Sequence, residues 1–358
     1  MYIIYTVTFF VSLLVTRGIL PRVIKFCYDR HIYDITNNRK VHSNDIPRLG
    51  GIIFFPSLLV AGSVGLLLLS CFSSESLSHI SLSSVFLLIG AVFIYMVGIV
   101  DDLVELGARK KFLIQTISAV IVPFCGLQIN NFYGLFGIYT LSPCISYPIT
   151  VFIVLLVVNA MNLIDGIDGL SSSLTIVALF LFTLLYNSLN ISSYVIICLA
   201  LMGSIIVFLY YNVFGKANEQ NKIFMGDAGS LIIGYILAFF VIKYAMDSPK
   251  IVFRSNALIV AFSPIVIPVV DLIRVAFTRL IQGKGIFSPD KQHIHHLFMA
   301  KGISMHKTLF LIVLYQILIC ILNFVMCYFD ININIIFIID ILLYILFVLF
   351  PGLPITHN

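Results

Sequence analysis

Apolar runs of bilayer length recur from one end of this chain to the other. Taking about 17–22 residues per crossing, the sequence predicts eleven membrane helices. They lie near 3–20, 50–70, 83–100, 112–127, 147–164, 170–187, 193–211, 230–246, 256–275, 308–328 and 332–350. Pro123 and Gly126 interrupt the fourth of these. Composition agrees: 60% of the residues are hydrophobic, 10% are charged and mean hydropathy is +1.09, whereas a soluble domain carries about 25% charged residues. The expected fold is all-α, a polytopic integral membrane bundle of about 11 transmembrane helices. No polar stretch is long enough to fold alone; Pro21–Arg48 and Gln282–Lys307 are the longest. Residues 1–358 are therefore read as one transmembrane domain. The first run has no basic segment before it and no small-residue cleavage site, so it is expected to be a retained helix. The seven cysteines show no CxxC or Cys/His spacing and are expected to be apolar packing residues.

Charge alternates between the loops. Loops 21–49, 101–111, 165–169, 212–229 and 276–307 hold 16 of the 21 Lys and Arg residues, and the opposite set holds only Lys250 and Arg254. Basic residues mark cytoplasmic loops, which puts the N-terminus outside and the C-terminus in the cytoplasm. The same loops hold 11 of the 16 acids. A topology signal needs only basic residues, so acids gathered on one face suggest one composite site.

Four polar motifs and one histidine cluster carry that site. In Asn159-Ala-Met-Asn-Leu-Ile-Asp-Gly-Ile-Asp-Gly-Leu170, Asn159, Asn162, Asp165 and Asp168 fall three apart where one span ends and the next begins. On a helix they would form one drifting polar stripe, and Gly166 and Gly169 allow a break or a ligand's close approach. Ionisable groups at membrane depth are costly and mark function. Val41-His-Ser-Asn-Asp-Ile-Pro-Arg-Leu-Gly-Gly51 offers the amides of Gly50 and Gly51 to a phosphate near a helix start, with Lys40 and Arg48 as counter-charge. Asp101 and Asp102 end the third span, where acids oppose the helix dipole; hard oxygen ligands of this kind suit Mg²⁺. Lys222-Ile-Phe-Met-Gly-Asp-Ala-Gly-Ser230 sets Asp227 and Ser230 at a helix start, either as caps or beside a ligand. In the last loop Asp271 and Arg274 lie three apart and Arg279 follows. Pro289-Asp290 and His293-Ile-His-His296 come next, without cysteine or acid at zinc spacing.

Taken in order, PRLGG at 47–51, DD at 101–102, NAMNLIDGIDGL at 159–170, FMGDAGS at 224–230 and HIHH at 293–296 resemble the polyprenyl-phosphate N-acetylhexosamine-1-phosphate transferases, the MraY/WecA superfamily. The resemblance spans roughly residues 40 to 300. It implies that undecaprenyl phosphate attacks the β-phosphorus of a UDP-N-acetylhexosamine, giving a lipid-linked diphosphosugar and UMP. It also implies Mg²⁺ (or Mn²⁺) dependence and a cytoplasmic active site in a bacterial inner membrane, built from loops 21–49, 101–111, 159–170, 212–230 and 276–307. By that analogy Asp227 is the first metal ligand, with Asp101 and Asp102 beside it; one of those two would instead orient or deprotonate the lipid phosphate. Asp165 and Asp168, with Asn159 and Asn162, would shape the nucleotide and sugar-phosphate pocket. His293, His295 and His296 would contact the diphosphate or sugar, and Lys111 and Arg279 the phosphates. The implied partners are the two substrates and the bilayer, with no nucleic acid and a homodimer left open.

The segment Asn212–Lys222 lacks the proline-containing approach associated with FMGD, and the HIHH pattern is closer to the WecA-like branch. The donor expected is then UDP-GlcNAc or a 6-deoxy relative, for a surface glycan such as O-antigen, capsule or a wall polymer. The competing reading is a transporter of an anionic or lipid-linked substrate. A transporter would place charge at mid-membrane in broken helices, whereas these acids gather at one face.

Overall fold

The computed structural model describes residues 1–33, 46–72, 82–249, 252–285 and 291–349. Lys40, the Val41–Asp45 start of the first motif, Lys250 and Pro289-Asp290 lie outside the described residues.

Helices account for most of the described chain, which makes it a multi-pass helical membrane protein. In order they are α1 (Tyr2–Asp29), α2 (Phe54–Phe72), α3 (Leu82–Val104), α4 (Ala108–Phe124), α5 (Pro143–Ile164), α6 (Leu170–Ser188) and α7 (Ser192–Phe214). These are followed by α8 (Gly226–Ala245), α9 (Ala257–Phe262), α10 (Val266–Ile281), α11 (Ile294–Ala300), α12 (Met305–Tyr328) and α13 (Ile333–Leu349). Among the described residues, 9 helical segments are long and apolar enough to cross a membrane, with α9 and α10 counted together as Ala257–Ile281. The helices α4 and α13 also fall on predicted runs: α13 is described as far as Leu349, and α4 has only 17 residues. At 1.5 Å per residue that is about 25 Å, short of a hydrocarbon core of about 30 Å. Pro123 and the left-handed Gly126 (φ 75°) stop α4 before the predicted end.

The core is organised around α8. It packs against α3 and α5, and nearly every residue from Ala228 to Ala245 is buried. A helix apolar on all sides is expected to sit inside a bundle. Close approach is set by Gly98 of α3, where an added Cβ would lie 2.4 Å from the Ala228 Cα. Around this centre α1 packs on α2 and α7, α6 on α7, and α10 on α5.

Two features were not expected. The predicted ninth run is interrupted by a tight turn at Ser263–Ile265, around Pro264. The Gln316 side chain of α12 repairs the break, donating to the Ser263 carbonyl (2.6 Å) and accepting from the Ile267 N–H (3.2 Å). The loop after α4 forms a hairpin of β1 (Asn131–Leu135) and β2 (Ile138–Thr140). Asn334 holds its tip by accepting the Phe136 N–H at 2.7 Å.

Candidate active site

The C-terminus of α3 meets the N-terminus of α8, and this junction explains the adjacent aspartates. Asp102 accepts the backbone N–H groups of Asp227 (2.7 Å) and Ala228 (2.9 Å). It thus caps the positive end of α8, whose own flanking residue Met225 makes no side-chain cap. Asp102 is almost fully buried. Each of its oxygens accepts one of these N–H groups, so the structure places Asp102 as a cap on α8, beside Asp101 and Asp227. Arg48 braces the junction, donating to the Asp102 carbonyl (2.8 Å) and to Glu105 (3.0 Å).

Asp101 points the other way. Its Oδ2 meets Lys111 Nζ at 2.9 Å, and Lys111 meets Asp227 Oδ1 at 2.6 Å. Asn162, at the end of α5, donates to Asp227 Oδ1 and to Ser230 Oγ, the latter at 2.8 Å. The ends of α3, α4, α5 and α8 therefore converge on two carboxylates and one ammonium. Among the described residues no group of three or more His, Cys, Asp or Glu side chains is arranged to hold a metal ion. Asp101 and Asp227 are the pair that share a cation.

Gly50 and Gly51 play a different part from the one expected. Their N–H groups donate to the Phe224 carbonyl (2.9 Å) and the Met225 carbonyl (2.7 Å), so they are closed to a phosphate. A Cβ on Gly51 would lie 2.1 Å from the Gly229 Cα. These glycines bring the first motif onto the backbone of the fourth.

The turn between α5 and α6 is the second wall. The helix ends at Ile164, so the predicted polar stripe stops after Asn162, and Gly169 turns the chain at φ 80°. Asn159, expected in the substrate pocket, donates through its amide nitrogen to Gln115 of α4 (2.9 Å) and to the Leu155 carbonyl (2.8 Å), which ties α4 to α5. Asp168 is buried and takes Lys222 Nζ at 2.6 Å. Asn212, at the end of α7, accepts the Gly169 N–H (2.7 Å) and donates to the Ile223 carbonyl (2.9 Å). Burial, then the Asp168, Asp227 and Asp102 carboxylates, push the Asp165 carboxyl up to about 8.

The histidines close the third side. His295 is buried, and its Nε2 lies only 2.1 Å from where a Cβ on Gly166 would stand. Its ring is parallel to that of His293 (centroids 6.0 Å apart, 6° between planes) and 4.2 Å from that of His296. Desolvation, with His296 and His293 beside it, lowers the His295 imidazole to about 3. Arg279 is buried in the last turn of α10. Both nitrogens of His295 and Nε2 of His293 are buried with no hydrogen-bond partner among the described residues.

Residues 84–245 match the model of glycosyl transferase family 4. A Bacillus subtilis (strain 168) protein named probable undecaprenyl-phosphate N-acetylglucosaminyl 1-phosphate transferase is 32% identical over 314 residues, 86% of this chain and 81% of its own length. This chain belongs to that transferase family. Two proteins named undecaprenyl-phosphate alpha-N-acetylglucosaminyl 1-phosphate transferase are similar over most of their lengths. The one from Yersinia pestis is 30% identical over 286 residues, 79% of this chain and 73% of its own. The one from Escherichia coli (strain K12) is 29% identical over 287 residues, with the same coverage.

The Asp101 and Asp227 carboxylates, which share the Lys111 ammonium, are hard oxygen donors of the kind that suits a divalent cation, which is held by one or two carboxylates and completed by substrate phosphates. Sequence reasoning brought forward the acids and histidines but assigned no role to Asn212 or Lys222. A lysine two residues before FMGD and an asparagine ending an apolar run were the only signals, and neither names its partner.

Proposed function

We propose that the protein transfers GlcNAc-1-phosphate from UDP-GlcNAc to undecaprenyl phosphate at the cytoplasmic face of a bacterial inner membrane, beginning a surface glycan. An oxygen of the lipid phosphate forms a bond to the β-phosphorus of the donor. The bond from that phosphorus to the bridging oxygen breaks, and UMP leaves with the electron pair. The nucleophile is already an anion, so no strong base is required, and the chemical demand is to hold two polyanions together.

The observation that carries this reading is the convergence of Asp101, Asp227, Lys111 and Asn162 at the mouth of the bundle. Asp227 and Asp101 would hold Mg²⁺, which when bound neutralises charge developing on the leaving phosphate. Lys111 and Arg279 would offset the remaining phosphate charge. The 165–169 turn and the histidines would line the nucleotide-sugar pocket, with Lys222 holding Asp168 and Asn212 holding the Gly169 N–H.

The test is UMP release by purified protein supplied with undecaprenyl phosphate, Mg²⁺ and a panel of UDP-sugars. UMP formed with UDP-GlcNAc, and lost in Asp227→Asn, supports the reading. Folded protein that releases no UMP from any donor overturns it and returns the transporter reading.

A further inference from the structure

Asp271 of α10 is 1% exposed, yet its carboxylate is surrounded by donors. Its Oδ1 accepts Arg274 Nη2 (2.7 Å), the Tyr344 hydroxyl (2.8 Å) and the Ile294 N–H (3.1 Å). Its Oδ2 pairs with His293 Nδ1 at 2.8 Å. Arg274 reaches on to the Gln292 carbonyl (2.6 Å) and to the Tyr344 oxygen (3.2 Å). Three separate pieces of the chain, α10, α13 and the segment entering α11, are thereby tied to one buried anion.

An ionised carboxylate only accepts hydrogen bonds. The proton between Asp271 and His293 therefore belongs to Nδ1 of the histidine, which leaves Nε2 as its working nitrogen. That Nε2 is buried, with no partner among the described residues. Its ring lies parallel to His295, which in turn packs against Gly166 of the turn that carries Asp165 and Asp168.

We propose that Asp271 is a positioning residue of the active site: it fixes the proton on His293 Nδ1 and aims Nε2 at the nucleotide-sugar. Asp271 touches no substrate itself. Tyr344, from the last helix, and Arg274 hold the carboxylate so that it cannot turn away. What His293 meets rests on the transferase reading; where its proton sits does not.

Two measurements test this. The first is the ¹⁵N spectrum of histidine-labelled protein, with the His293 signals assigned by loss in His293→Ala. A proton on Nδ1 in the unaltered protein, displaced in Asp271→Asn, is expected, because the new amide can donate to that nitrogen. Nδ1 without a proton in the unaltered protein overturns the proposal, whatever the enzyme does. The second is a double-variant cycle on UMP release. Asp271→Asn alone should lower kcat/KM by on the order of 10²-fold through misplacement of the ring, with the KM for undecaprenyl phosphate unchanged. In a His293→Ala background the same substitution should cost nothing further. Losses that multiply would show that Asp271 acts only through general stability, and the proposal would fall.

Discussion

Replacing Gly166 by alanine is the most direct probe of the contact between the histidines and the acidic turn. Gly166 is exposed and its φ is not in the left-handed region, so the backbone itself accepts alanine. The added methyl, however, would stand 2.1 Å from His295 Nε2. Ordinary van der Waals separation is near 3.5 Å, so the ring must retreat by about 1.4 Å. It has no room to do so freely, because the rings of His293 and His296 flank it. A misplacement of about 1 Å costs on the order of 10²-fold in rate, and we expect a loss of that size in kcat/KM for UMP release. The midpoint of thermal unfolding should hardly move, since the strain falls on one side chain. The combination with His295→Ala is the deciding arm. The three atoms nearest to the added methyl all belong to that imidazole, so once the imidazole is gone the double variant should be no slower than His295→Ala alone. A Gly166→Ala enzyme with unaltered rate, or losses that multiply in the double variant, would refute the closure of the histidines onto this turn.

Lys111→Met leaves Asp101 and Asp227 facing each other without their shared cation. Breaking a buried ion pair costs about 3–5 kcal/mol, and millimolar Mg²⁺ should recover part of the lost thermal stability, more than it adds to the unaltered protein. Asn212→Ala removes the two hydrogen bonds by which Asn212 links the Gly169 N–H to the Ile223 carbonyl; leaving those buried backbone groups unmet should cost about 2–4 kcal/mol, read from thermal unfolding. For Asp165 the sign follows from its raised value of about 8. The folded protein favours the protonated form, so stability falls as pH rises from the ordinary carboxylate range through about 8. Asp165→Asn should therefore gain most over the unaltered protein at pH 9 and least at pH 5, and an equal gain at both would contradict that assignment.

The bundle and the neighbourhood of the site are readable in the sequence because a membrane makes polar residues conspicuous. Asp101, Asp165, Asp168, Asp227 and the three histidines stand out against apolar runs, and their spacing puts them at helix ends. What sequence does not convey is which end meets which. Asp102 looks like a twin of Asp101, yet one caps α8 and the other faces Lys111. Gly50 and Gly51 read equally well as a phosphate cradle or as a close backbone crossing, and only the carbonyls of Phe224 and Met225 decide between them. Asn159 and Asn162 differ by less than a turn of helix, enough to turn the first toward Gln115 and the second toward Asp227. Tyr344 lies in an apolar run far along the chain, and nothing local connects it with Asp271.

The enclosure of α8 has a consequence for how such an enzyme lives in a changing bilayer. A helix with no lipid face cannot feel acyl-chain length or order directly. Thickness mismatch is absorbed by helices that tilt against lipid, and here those are the outer ones, α1, α12 and α13, with their many exposed apolar side chains. Asp227 is mounted on the one element that such tilting moves least, and α3 and α5 deliver Asp101 and Asn162 to it through direct packing. The lipid substrate is thus recruited from a fluid whose composition varies, to a fixed point that this fluid does not touch.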